Sequence, residues 1–342
     1  MKRIRTINRM SKAIRAIALV AVLAVLGVGG YVYLGPYSAP RDQTYIEIQR
    51  GMSSRQIADM LAEQGLVRSE WAFLAVRALH PRAKLQAGEY RFDESQAPWA
   101  IFHKISRGEI YFELLTVPEG SNTFDIVTLL EHSPIAAGIH SGDFLKAAAD
   151  PNAIRDLDPG APSLEGYLFP STYRVTHATS AAQLCRMMTV EFRKQWQAIA
   201  GAGPHQDVHQ LVTLASLVEK ESALARERPM VAGVFLNRLR LQMPLQCDPT
   251  TSYAALLENR YRGVIGKSDL ASTNPYNTYT HTGLPPGPIA NPGAQSLAAA
   301  LHPAEVSYLY FVAKPDNSGS HHFSSTLAEH NDAVEKYRRT SH

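Results

Sequence analysis

Only two cysteines, Cys185 and Cys247, occur in 342 residues. Two are too few for a disulfide framework, although an oxidising compartment would permit one bridge; two unlinked thiols are the blander expectation. No second cluster of ligating side chains lies at metal-binding spacing from Cys247. His321, His322 and His330 form the one local histidine cluster, and a polar strand end followed by a helix start accounts for them. No acid precedes Ala16, whereas six bases do: Lys2, Arg3, Arg5, Arg9, Lys12 and Arg15. With those set aside, 28 bases face 31 acids, a net of −3, so nothing points to nucleic acid. What remains is ordinary globular composition, 45% hydrophobic and 8% aromatic, in a chain long enough for two domains.

No charge interrupts "AIALVAVLAVLGVGGYVYL", Ala16 to Leu34. The run approaches the roughly 20 apolar residues of a spanning helix and exceeds the roughly 7–15 of a signal peptide's apolar region. A signal peptide also follows a basic start, but no small-x-small cleavage site is evident near Ser38-Ala39-Pro40, which favours an uncleaved anchor. The basic end then stays cytoplasmic, Tyr31 and Tyr33 suit the far interface, and everything after Pro36 is exported. "GPYSAPRD" reads as a linker, with folding expected from Thr44. The expected organisation is a basic tail (1–15), a spanning helix (16–34), a linker (35–43), a small module (44–112) and a larger mixed α/β domain (113–342).

"IEIQRGMSSRQIADML" and "LTVPEGSNTFDIVTLL" echo each other at an offset of 69 residues. Ile48 matches Val117, Gly51 matches Gly120, Ile57 matches Ile126 and Leu61 matches Leu130. Each copy reads as a strand, a glycine turn, a polar cap and an amphipathic helix. A second strand is expected over 88–92. Further on, helices are expected over 180–198, 208–222, 227–241 and 293–301. A strand is expected within 308–316, and a charged helix ends the chain.

"LVTLASLVEKESALARER", from Leu211, starts as an apolar helix and ends on Glu219, Lys220, Glu221 and Ser222. At 100° per residue Leu214, Ala215 and Val218 share one face, with Thr213, Ser216 and Lys220 opposite and Lys220 as the solvated end. Both carboxylates border the apolar stripe, and the spacing favours Glu221 only slightly. A carboxyl among leucines loses solvation of its charged form, so its pKa rises and it can serve as a general acid. The competing reading is an exposed, idle helix end.

"LEGYLFPSTY", "LASLVEKES", "ERPMVAGVFLNRLRLQMPLQCDPT" and "NPYNTYTHTGLPPGPIANPGAQSLAAALHP" together closely resemble the MltG (YceG-like) endolytic murein transglycosylases. The likeness covers nearly the whole chain, and the first echo copy with the helix and strand after it resembles a LysM-type module. That module implies either binding of N-acetylglucosamine-containing glycan or simple packing. The family implies α+β architecture and cleavage of the β-1,4 bond between N-acetylmuramic acid and N-acetylglucosamine, leaving a 1,6-anhydromuramyl end and terminating strand growth. It implies no metal or cofactor. Its partners would be peptidoglycan strands, the membrane and peptidoglycan synthases, and its location the inner membrane, with a periplasmic catalytic domain.

By that resemblance the Glu-Ser pair Glu221-Ser222 carries catalysis, with Glu219 the runner-up. Glu165 is the strongest second carboxylate, either touching sugar or pairing with an arginine such as Arg238. Asn237 and Arg238 could orient a carboxylate or form a plain polar helix face. Gln246 and Asp248 suit sugar contacts or a turn. Asn274, Tyr276, Asn277, Thr278 and Tyr279 could wall a glycan cleft or form a rigid loop. Two alternatives stand beside the transglycosylase: a muramidase that hydrolyses the same bond with Glu165 or Asp248 as second carboxylate, and a noncatalytic glycan-binding scaffold.

Overall fold

A computed structural model describes residues 2–35, 43–133, 138–201, 207–316 and 318–340. Most of the expected linker, residues 36–42, lies outside them. Contacts divide the chain into two units, Met1–Phe112 and Glu113–His342. The architecture is α+β, mostly helical, with three two-stranded antiparallel sheets among the described residues.

The first unit opens with α1 (Lys2–Leu34), whose apolar window Ile14–Tyr31 is uncovered by the rest of the fold. Then come β1 (Thr44–Ile48), α2 (Ser54–Glu63), α3 (Glu70–Leu79), β2 (Gly88–Phe92) and α4 (Pro98–Arg107). β1 pairs with β2 from Thr44↔Phe92 to Ile48↔Gly88. Ser53 forms a capping box with Gln56 that starts α2, and a left-handed Gly108 stops α4. Ile48, Leu61, Phe73, Phe92 and Phe102 meet in one core.

The second unit begins with β3 (Glu113–Thr116), α5 (Thr123–Glu131), α6 (Ser141–Ala148) and β4 (Thr172–Val175). α7 (Ala181–Ala200), α8 (Val208–Glu221), α9 (Arg228–Arg240), α10 (Asp248–Leu257), the short α11 (Lys267–Leu270) and α12 (Ala294–Leu301) follow. β5 (Tyr310–Ala313), β6 (His321–Ser324) and α13 (Leu327–Thr340) complete it. The echo extends further than the sequence disclosed. β1-α2-α3-β2 and β3-α5-α6-β4 share one order, both close as antiparallel pairs, and both first helices start on capping boxes, at Ser53 and Asn122. The turns need Gly51 and Gly120, at φ 91° and 75°.

α8 is the central helix, packed by α9, α10 and α12. The expectation of a polar face through Thr213 and Ser216 is corrected here: both are fully buried. Ser216 Oγ donates to the Thr213 carbonyl at 2.7 Å and accepts from the Ile289 amide at 3.1 Å, so the segment before α12 covers the side that periodicity left to solvent. Only Lys220 remains exposed at the end.

Candidate active site

Asp207 starts α8, its side chain accepting from the Gln210 amide, and an extended Ser222 ends it. Ser222 is buried, and its hydroxyl turns back to the Leu224 carbonyl at 3.1 Å. The two glutamates of the last turn meet opposite fates. The Glu219 side chain is 4% exposed, and its oxygens accept from the Arg228 guanidinium at 2.8 Å and the Gly293 amide at 2.9 Å. It is an ion-paired brace that ties α8 to the starts of α9 and α12. Among the described residues Glu221 has no arginine or lysine in salt-bridge contact.

The groups that act on Glu221 come from three places. Cys247 and Asp248 lie at the start of α10, Arg238 is on α9 and His321 begins β6. Burial pushes its carboxyl pKa up; the Cys247 thiol pulls it down, Asp248 pushes it up, and His321 and Arg238 pull it down. The negative end of the α8 dipole adds to the upward push. A carboxyl whose ionised form is disfavoured, at a helix end whose ion pair is taken by Glu219, can give a proton and take one back.

Glu165 sits in a separate, fully hydrogen-bonded network. It accepts from the Thr123 amide and hydroxyl, both at 2.9 Å, from Tyr253 Oη at 3.1 Å and from Asn291 Nδ2 at 2.9 Å. The pairing with Arg238 is corrected by this geometry. Arg238 donates instead to the carbonyls of Leu309, Pro244 and Leu245 and stacks over Tyr310, because α9 carries it toward β5 and the loop before α10. Burial raises the Glu165 pKa to about 7 against the pull of Thr123 and Tyr253. A folded pKa above the unfolded one gives stability that is complete below about pH 4.5 and lost as pH rises through about 7, on the order of 3 kcal/mol. Urea titrations across this window should show stability falling with pH, and Glu165→Gln should flatten that slope. An unchanged slope would remove Glu165 from the account.

The other expected residues divide by what they touch. Asn237 Nδ2 is spent on the Val306 and Tyr308 carbonyls at 2.7 and 2.9 Å, which places it in the scaffold below β5. Asn277 is buried and holds the Asp269, Leu270 and Ser272 carbonyls; Thr278 is buried against Thr250 and the Cys247 amide. Asn274 donates to Glu258, and Tyr276 packs 5.2 Å from Tyr253. Gln246 is exposed with φ 52°, a left-handed residue just before Cys247. Asp248 accepts from Tyr279 Oη at 2.5 Å and, with Asn122, Lys220, Tyr253, Tyr261 and Val264, lines a cleft of about 510 Å³. His321 is held by Glu227, whose carboxylate takes both its amide and its ring at 3.1 and 2.8 Å. Among the described residues no group of three or more His, Cys, Asp and Glu side chains is placed to hold a metal ion, and both cysteines are free and buried.

Sequence reasoning missed Asn291, Arg228, Thr123 and Tyr253. Asn291 is wholly buried; its amide group takes the Gly166 and Leu168 N–H groups and gives to Ser121 and Glu165. One available signal was "IANPG", an asparagine before proline in an apolar setting. Gly166, at φ 88°, must stay glycine, because a methyl there would collide with the Pro288 ring.

The YceG-like family profile matches residues 46–336. An endolytic murein transglycosylase of Bacillus subtilis (strain 168) is 36% identical over 308 residues, covering 85% of this chain and 84% of that protein. The Streptococcus pneumoniae (strain D39) protein of the same name is 27% identical over 347 residues, covering 90% of this chain and 62% of its own. The crystal structure of a yceG-like protein from Listeria monocytogenes is 30% identical, with a TM-score of 0.53 over 85% of this chain and 99% of that one. With the profile covering most of its length and these relatives alongside it, the chain belongs to the YceG-like family.

Proposed function

We propose that the protein is an endolytic murein transglycosylase that cuts the β-1,4 bond between N-acetylmuramic acid and N-acetylglucosamine with Glu221 as its acid and base. The observation that carries this reading is the contrast at the end of α8: Glu219 is consumed by Arg228 and Gly293, while Glu221 is half-buried, touches the Cys247 thiol and has its carboxyl pKa raised by loss of solvation. The names of the relatives supply the substrate class. Glu221 first gives its proton to the glycosidic oxygen, and the leaving N-acetylglucosamine departs. The muramyl C6 hydroxyl then attacks the anomeric carbon, and the Glu221 carboxylate takes the hydroxyl proton. The nucleophile is tethered to the reacting sugar, so no water has to be positioned. One carboxyl suffices where hydrolases commonly use two.

The same reading places α1 across the inner membrane with its basic end in the cytoplasm and both units in the periplasm, where growing strands and their synthases lie. The positive-inside asymmetry and the mean hydropathy of 2.1 over Ile14–Tyr31 support it. A LysM-like role for the first unit is supported by its strand-helix-helix-strand order and by a groove of about 580 Å³ at the β1-α2 and α3-β2 loops. Gln49, Arg50, Lys84 and Gln86 line that groove with groups suited to sugar hydroxyls and N-acetyl oxygens.

Mass spectrometry of strands digested by the purified protein tests the reaction. The expected product ends in anhydromuramic acid, one water lighter than a hydrolysed end. Reducing muramic acid would make the protein a muramidase, and intact strands would make it a scaffold.

A further inference from the structure

Two of the three tryptophans stand exposed in the first unit. Trp71, the second residue of α3, is 67% exposed, and Trp99, the second residue of α4, is 39% exposed. The third, Trp196, is buried in α7, stacked on Phe192. α3 and α4 are also the two helices against which α1 rests. Where α1 meets α3, the Arg68 guanidinium lies 4.3 Å over the Tyr31 ring and donates to its hydroxyl. Tyr31 is the last residue of the uncovered apolar window. The start of α3 is therefore level with the point where that window ends.

Both helices also have a direction. The polar groove described above lies beyond the C-terminal end of α3, at Lys84–Ala87, and includes Ser106 from the last turn of α4. Each helix has ten residues, so about 15 Å separates its tryptophan end from its groove end. Sugar-stacking tryptophans would belong beside the groove, yet these sit at the opposite end. Where a spanning helix leaves hydrocarbon, the bilayer interface favours amphipathic rings and cationic side chains.

We propose that Trp71 and Trp99 seat the first unit in the interfacial layer of the bilayer, with Arg68 at the level of the lipid phosphates and the polar groove turned away from the membrane. This rests on the reading of α1 as a membrane-spanning anchor. The occupant of the tryptophan face is then lipid, and the unit is a spacer of fixed polarity rather than a freely tethered bead.

The test uses the full chain in nanodiscs of phosphatidylethanolamine and phosphatidylglycerol, with and without bromine on the acyl chains near the headgroups. Bromine should quench the wild-type emission by up to about two thirds, the share of tryptophans at the interface. Trp71→Phe/Trp99→Phe, which keeps only Trp196, should emit equally from both discs. Equal quenching of the two proteins overturns the proposal. So does an emission that responds to N-acetylglucosamine oligomers and not to bromine, which would make the face a sugar platform. Unquenched wild type that still resists alkaline extraction overturns this proposal alone; release by alkali overturns the anchor reading, and this proposal with it.

Discussion

Glu221→Gln should lower the rate of glycan cleavage by about 10²–10⁴-fold while the protein stays folded, since the amide keeps the shape and loses only the transferable proton. The expected loss is in kcat, because an amide in the same place still meets substrate but cannot protonate the leaving oxygen. Thermal stability should hold or rise, since a half-buried carboxyl whose ionised form is disfavoured by lost solvation is replaced by a neutral group. Glu219→Gln should behave in the opposite way: a clear loss of stability, with cleavage per folded molecule largely retained. Measuring strand cleavage and melting temperature on both variants separates the two glutamates. Full activity in Glu221→Gln, or abolished activity in a well-folded Glu219→Gln, would reassign the acid.

Arg228→Met should cost about 3–5 kcal/mol, among the largest single-site losses of stability in the second unit. Its guanidinium is 8% exposed and holds Glu219, the Ser222 carbonyl at 3.3 Å and, at 3.7 Å, Glu119. Removing it strands a carboxylate that has given up its water. Adding Glu219→Gln removes the stranded charge while an amide oxygen still accepts from Gly293, so the double variant should recover much of the loss. Urea midpoints of the two single variants and the double give the coupling directly. If the double variant lost the sum of the singles, the pair would be no clasp. The same contacts bracket Glu221 in sequence, at 219 and 222, so the clasp also fixes the helix end on which the acid stands.

Local chemistry was legible in the sequence. Helix α8 begins at Val208 as expected and ends one residue early, β2 spans the expected 88–92, and the glycine-turn and cap pattern of the echo appears in both copies. These features depend on periodicity and caps within about ten residues. The burial of Thr213 and Ser216 was not legible, because a single helical wheel sees one helix and not the segment that covers its polar side. Nor were the partners of Glu165 and Arg238. Glu165 meets Thr123, Tyr253 and Asn291, which lie 42, 88 and 126 positions away. Nothing in the spacing of a carboxylate and an arginine says which donors a fold will bring to either. Glu219 and Glu221 were separable only by motif, and what distinguishes them physically is which one Arg228 and Gly293 reach.

The span of the Asn291 network bears on how the enzyme comes into being. Asn291 joins Ser121, 170 positions earlier, to the Glu165 loop, and the Gly293 amide joins Glu219 at a separation of 74. Contacts this distant are slow to close and form only when both ends of the chain segment are present. On the proposed topology, a chain threaded outward from α1 delivers Glu221 well before Asn291. During that interval the proposed acid stands on a helix end whose Glu219 has not yet met the Gly293 amide, so on this reading a half-exported molecule carries no finished cutting site. On the same reading, the wall meets a finished site only after nearly the whole chain has crossed.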